Sequence, residues 1–339
     1  MIFNWQSKQW QQLQQQAREQ RMPHALLLTG QAGLGKRDFA MQLAKGLLCK
    51  QPRADGMACG ECDACNLLQV TQAVDESNNK ASALTHVGTH PDCLWLEPEE
   101  ADKAIKVDDV RELCAAMSLT SQFGGYKIAI INMADSMNIN AANSLLKTLE
   151  EPTGLSVLVL VSSRPARLPI TVRSRCQRIA FHVPDAQQGN AWLAQQNIKN
   201  SDLLLRLAHG SPLLALQLAQ ADALQPRQVL IDALLGVARN QPLVAHAEVL
   251  AKQPVYELLG WLHDWLADVL RLQVSAQAEI NNLDQAIVLK QLAQQLTMQR
   301  VYGLLDEVLQ LRRMQTVSLN AQLLWEDLLI SWQLLLKKA

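Results

Sequence analysis

The chain has 339 residues, about half of them apolar, and a formal net charge of −1. That is enough for two or three domains with sizeable cores, and it excludes a disordered chain. The balanced charge argues against a protein whose main task is gripping nucleic-acid backbone, and seven cysteines, four of them clustered, suit a reducing cytosol and a metal site better than a disulfide framework.

The opening MIFNWQSKQWQQLQQQ lacks the basic and apolar regions of a signal peptide, and no apolar run approaches the length of a membrane span. A cytoplasmic protein without membrane association is expected. Residues 8–21 read as a Gln-rich helix with a weak stripe at Trp10, Leu13 and Ala17. Ala25 to Thr29 (ALLLT) reads as a buried strand. It runs into Gly30-Gln31-Ala32-Gly33-Leu34-Gly35-Lys36-Arg37 and a helix from Asp38 to Leu48. This matches the phosphate loop G-x-x-x-x-G-K-[ST] at every position but the last. Glycines at Gly30, Gly33 and Gly35 let backbone N–H groups wrap phosphates, and Lys36 can reach the β and γ oxygens. Arg37 replaces the hydroxyl that should hold Mg²⁺. Two readings stay open: a working phosphate loop, and a relic that keeps only its shape.

Cys49, Cys59, Cys62 and Cys65 follow, the last three as interlocked C-x-x-C units with Gly56 and Gly60 at the turns. Four thiolates on one knuckle make a closed tetrahedral set that suits structural Zn²⁺, with an iron–sulfur cluster or free thiols as alternatives. Residues 71–88 are polar, small and without period, so they read as a surface loop. His86 and His90 are surplus to a four-cysteine set. Strands are expected at Cys93 to Leu96 and Lys127 to Ile131, with a charged turn at 97–103 and a helix from Ile105 to Leu119 between them. Asn140 to Glu150 reads as a helix stopped by Glu151-Pro152. Ser156 to Val161 is a β-branched run buried on both faces, and Ser162 to Arg164 lie at its C-terminal end, where open α/β sheets place ligands. One or two helical turns over 168–175 end at Ser174-Arg175-Cys176, and Gln177 to Phe181 is a fifth strand. Residues 186–219 carry short helices with Trp192, Leu193, Leu203, Leu204 and Leu207 as core candidates. Beyond 222 the apolar spacing is helical throughout.

LLKTLEEP, then a buried strand, then RSRC at this spacing resembles the AAA+ clamp-loader ATPases. The phosphate loop, the cysteine module behind its helix, THPD at 89–92 and I-x-V-D-x-V-R at 105–111 extend the resemblance over nearly the whole chain. It implies an α/β AAA+ module over 1–182: a five-stranded parallel sheet with helices on both faces and a zinc module at 49–65. It also implies a small helical lid at 183–220 and an all-α collar at 221–339. In this family the arginine of Ser174-Arg175-Cys176 is an arginine finger that reaches a neighbouring subunit's ATP site.

The departures from the family are specific. The acid and base that should end the third strand are Asn132 and Met133, and the γ-phosphate arginine of the small domain is Leu213. Ser162 to Arg164 occupy the sensor-1 region, and Asp135 is read as structural. The resemblance therefore implies a stator that does not hydrolyse ATP, with ATP or ADP binding at the loop left open. Its implied partners are gamma/tau and delta subunits in a hetero-oligomeric ring, acting on a sliding clamp and primer–template DNA. Two alternatives remain: an active ATPase, and a zinc-containing nucleic-acid-binding protein using Arg164, Arg167, Arg173, Arg175 and Arg178.

Overall fold

The structure, a computed structural model, describes residues 2–69, 83–100, 103–220, 224–313 and 320–337. It divides into two units, Met1–Pro184 and Asp185–Ala339. In the first, the strands are β1 (Ala25–Thr29), β2 (Leu84–His86), β3 (Cys93–Leu96), β4 (Lys127–Ile131), β5 (Ser156–Ser162) and β6 (Gln177–Ala180). Their order across the sheet is β2-β3-β4-β5-β1-β6. The five expected strands are all parallel, and β2 adds a sixth at the edge, antiparallel to β3. β2 falls inside the stretch read as a surface loop. Only Leu84 is even half-buried, so no apolar run announces the strand. Residues 71–82 of that loop lie outside the described residues.

Helices cover both faces: α1 (Ser7–Arg18), α2 (Lys36–Leu48), α3 (Asp63–Gln69), α4 (Val107–Ser118), α5 (Ile139–Ser144), α6 (Leu146–Glu150) and α7 (Ile170–Arg173). Because side chains alternate along a strand, each central strand feeds two cores. Leu26, Leu28, Val157 and Val159 meet Trp10, Leu13, Phe39 and Leu43 on one face. Leu27, Leu158 and Leu160 meet Val110, Leu113, Leu145 and Leu149 on the other. Each such side chain contributes roughly 1.5–3 kcal/mol by burial, so the sheet is a stiff floor for the loops at its C-terminal edge. The single helix expected over 140–150 is two short ones. Leu145 joins them, its N–H bonded to the Ala142 carbonyl in a tightened turn while its side chain fills the core.

The second unit is helical: α8 (Ala186–Gln195), α9 (Ser201–Leu207), α10 (Pro212–Gln220), α11 (Leu224–Ala238), α12 (Leu243–Ala251), α13 (Val255–Val274), α14 (Ala286–Gln295), α15 (Met298–Arg313) and α16 (Ala321–Leu336). A small cluster joins Leu193, Leu204, Leu205, Ala208 and Ala215, with Trp192 packed at its margin. A larger one surrounds the fully buried Trp265, Trp325 and Trp332. Trp332 satisfies its indole N–H by donating to the Leu234 carbonyl at 2.9 Å. Asp268 is buried in this bundle and accepts from the backbone N–H groups of Asn281 and Asn282, the Asn282 amide and Arg271, so its charge is fully partnered. Among the described residues no helix is long and apolar enough to cross a membrane.

Candidate functional site

The glycine loop leaves β1 at Thr29 and enters α2 at Lys36. Gly33 and Gly35 hold φ of 77° and 78°, a left-handed backbone that other residues adopt only with strain. Lys36 is buried, and its ammonium donates to the carbonyls of Gly30 (2.7 Å) and Gln31 (2.6 Å) and to Ser163 Oγ (3.2 Å). Burial lowers its pKa to about 8, against the opposing pull of Asp135. Asp135 accepts from Ser162 Oγ (2.8 Å), the Ser163 N–H (3.0 Å) and Arg164 Nε (3.1 Å). Burial works to raise its pKa, but the hydrogen bonds from Ser162, Arg164 and Ser163 outweigh it and hold the carboxyl below the usual range. The residues at the end of β5 are thus tied to the loop through Lys36 and to one another through Asp135.

The position of the missing hydroxyl is filled by a second cation. Arg37 lies 3.3 Å from Glu97 and over the Trp95 ring, 5.1 Å from its centroid. The other oxygen of Glu97 accepts from the Asn132 amide at 3.1 Å. Arg37 and Asn132, the two residues that depart from metal-binding chemistry, therefore share one carboxylate. Met133, next in line, sits at φ 52°.

The segment before α1 closes over the same loop. Gln6 is fully buried and donates to the carbonyls of Leu34 (2.8 Å) and Gly35 (3.0 Å), while the Trp5 indole donates to Leu34 at 3.1 Å. The Phe3 ring lies so close that a Cβ on Gly35 would stand 2.6 Å from it. Phe3 stacks on Trp5 with centroids 4.7 Å apart. The sequence reading found none of these three residues, nor Glu97. The signal for Phe3 and Trp5 is the apolar set Met1, Ile2, Phe3 and Trp5 ahead of a Gln-rich helix, and Gln6 has none.

The four cysteines come together. Cys49 caps the end of α2, Cys65 lies on α3, and all four sulfur atoms are within 4.8 Å of one another. Cys49 and Cys62 are 3.9 Å apart and Cys59 and Cys65 are 3.8 Å apart. A tetrahedron of ~2.3 Å zinc–sulfur bonds has edges of about 3.8 Å, so the set fits zinc. Backbone N–H groups of Glu61 and Cys62 point at Cys59 Sγ and hold that thiol below its usual range. Gly56 and Gly60 make the turns with φ of 80° and 89°. His86 and His90 stay outside the cluster.

Arg175 follows α7. Its Nη1 donates to the Thr171 carbonyl at 2.9 Å and its Nη2 pairs with Glu150 at 2.5 Å, the side chain remaining 37% exposed. Ser174 Oγ donates to the same Thr171 carbonyl at 3.2 Å, and burial pushes the Cys176 thiol up to about 11. Of the arginines around it, Arg164 binds Asp135 and Arg178 donates to Thr29 Oγ1 at 3.1 Å. In the second unit, α10 starts at Pro212, with Leu213 next, so no charged side chain stands at that position.

A glycine loop between a central parallel strand and a helix, with β4 and β5 ending beside it, defines an AAA+-type α/β module. Residues 5–185 match the family model for DNA polymerase III, delta subunit, and residues 221–333 match the model for its C-terminal part. DNA polymerase III subunit delta' of Pseudomonas aeruginosa is 38% identical over 339 residues, covering 98% of this chain and 97% of the relative. The subunit delta' of Escherichia coli K12 is 33% identical, covering 91% and 88%. DNA polymerase III subunit tau/gamma of Haemophilus influenzae is 30% identical over 65% of this chain and 31% of its own length. The chain belongs to the clamp-loader delta' subunit family of DNA polymerase III.

Proposed function

We propose that this chain is a stator of the clamp loader: it does not hydrolyse ATP and offers Arg175 as an arginine finger to a neighbouring subunit's ATP site. The observation that carries this is the convergence of Arg37 and Asn132 on Glu97. Hydrolysis needs a metal ligand, an acid and a water-orienting base acting on one transition state. Here a guanidinium stands where Mg²⁺ chemistry belongs, a neutral amide replaces the acid, and Met133 offers no base. Lys36 already donates to the Gly30 and Gln31 carbonyls and to Ser163, so any ATP or ADP bound through Gly30, Gly33, Gly35, Lys36 and Arg37 has to draw the ammonium off the chain's own acceptors.

The reading extends to the rest of the molecule. Cys49, Cys59, Cys62 and Cys65 hold a structural Zn²⁺, whose closed four-sulfur set stiffens the lobe and leaves no position for reaction. Residues 183–220 act as a lid and 221–339 as a collar, each with its own apolar cluster. Partners are the tau/gamma ATPase subunits and the delta subunit in a hetero-oligomeric ring in the cytoplasm, with the sliding clamp and primed DNA engaged through the complex. The deciding experiment is ATP hydrolysis by this chain alone and after assembly with an active clamp-loader ATPase subunit. No turnover alone, with turnover in the assembly that depends on Arg175, is expected. Turnover by the isolated chain that vanishes in Lys36→Ala would overturn it.

A further inference from the structure

We propose that Glu150 is a positioning residue for Arg175, aligning its guanidinium before a phosphate arrives. This rests on the reading of Arg175 as a finger in trans. Glu150 is the last residue of α6 and Arg175 follows α7, so the two contacts on the guanidinium come from different elements. One fixes Nη2, the Glu150 carboxylate at 2.5 Å; the other fixes Nη1, the Thr171 carbonyl at 2.9 Å. Two anchored nitrogens set both the direction and the plane of the fork. A guanidinium has five N–H groups, so three remain for another acceptor.

The energetics suit alignment rather than capture. Both partners are exposed, Arg175 at 37% and Glu150 at 50%, and an exposed pair biases a side chain by roughly two- to fivefold. That is enough to restrict a side chain with many rotamers, and too little to withhold it from a triphosphate. Glu151, one residue on, makes no such contact, although it carries the same charge.

The test uses the assembled complex with an active ATPase subunit, and reads kcat and KM for ATP under DNA and clamp stimulation. Glu150→Ala should slow turnover at the one site that Arg175 serves by about two- to fivefold, lowering total kcat by less and leaving KM unchanged, because alignment acts on the transition state. Glu150→Gln should recover at least half of the loss, since its amide oxygen still accepts from Nη2. Glu151→Ala should change nothing. The double variant Glu150→Ala/Arg175→Ala should be no slower than Arg175→Ala alone, a non-additivity that a general packing role would not give. Unchanged or faster turnover in Glu150→Ala, or additive losses in the double variant, would overturn the proposal. If Arg175→Ala itself changes nothing, the finger reading fails first, which separates the two outcomes. Melting curves of Glu150→Gln confirm that the comparison is made between folded proteins.

Discussion

Lys36 and Arg175 belong to the same unit and carry the same charge, yet their partners differ in kind. Lys36 is buried and its three hydrogen bonds all go to its own loop and the end of β5. Arg175 is held by an exposed carboxylate and one carbonyl. Stripping a buried ammonium of its hydrogen bonds costs about 1–3 kcal/mol or more, while an exposed ion pair is worth under ~1 kcal/mol. A cation that supports its own fold is therefore poorly available to a ligand, and one resting on cheap contacts is available to a neighbour. On the proposed reading, the first serves as structure and the second as the reaching group.

The sharpest way to break this contrast is Arg175→Ala. A finger in trans is worth about 10³–10⁵ in rate at one site, and the several sites of a complex dilute the loss in total turnover. DNA- and clamp-stimulated ATPase of the assembly should fall, with assembly, metal content and melting unchanged. Arg175→Lys should restore little, because an ammonium lacks the planar fork. Equal turnover in the variant complex would make Arg175 a structural residue.

Metal removal tests whether the lobe behind the loop is structural in the same sense as Lys36. Zinc modules draw ~10 kcal/mol or more from their metal, so Cys59→Ala should lose its zinc and more than about 3 kcal/mol of stability. Elemental analysis and urea unfolding decide it; full stability without metal would show that the thiols alone suffice.

The titration of Lys36 gives a smaller effect with a definite sign. Its folded pKa is about 8, against 10.5 for a free lysine. Between these values the unfolded chain binds more protons, so stability rises with pH across that window. Measured against Lys36→Met, the wild type should gain roughly 1–3 kcal/mol from pH 8 to 10.5. A flat difference would mean that the ammonium is not desolvated. Gln6→Ala should cost about 1–2 kcal/mol by stranding the Leu34 and Gly35 carbonyls, readable by urea unfolding. No loss would show that the contacts with the loop are incidental.

His209, in the second unit, supplies the opposite slope and the smallest effect. It lies 3.1 Å from Asp264, whose hydrogen bond raises its pKa above 6.5. Its contribution is present below that value and fades as pH rises through the folded one. As His209 is 40% exposed, the screened contribution is a few tenths of a kcal/mol, and His209→Asn should flatten it.

What could be read from the sequence was whatever repeats locally. ALLLT, KIAII and SVLVLV announce buried strands, and the spacing of Cys49, Cys59, Cys62 and Cys65 announces the cluster that the fold assembles. What could not be read joins residues far apart. Gln6 meets Leu34 and Gly35, nearly thirty residues on, through amide hydrogen bonds that leave no periodic trace. Glu97 looked like one of several charges in a turn, and only the fold sets it between Arg37 and Asn132. β2 was missed because an edge strand needs only one half-buried residue. Helix 140–150 was read as continuous because Leu145 is a good helix former whose turn is set by packing.

The place of β1 in the sheet also orders events in time. Its two neighbours are β5 and β6, so Ala25 waits for Leu158 and Leu26 for Gln177. At ribosomal speeds of 5–20 residues per second, that gap of roughly 130 residues lasts on the order of ten seconds. Until then the glycine loop has a strand with no partner on either side. The strand that finally closes the sheet directly follows Arg175, so β1 gains its second partner only after Arg175 has been made. A ribosome-bound chain halted before residue 156 should leave the amides of 25–29 open to exchange, and a chain halted well past 180 should protect them.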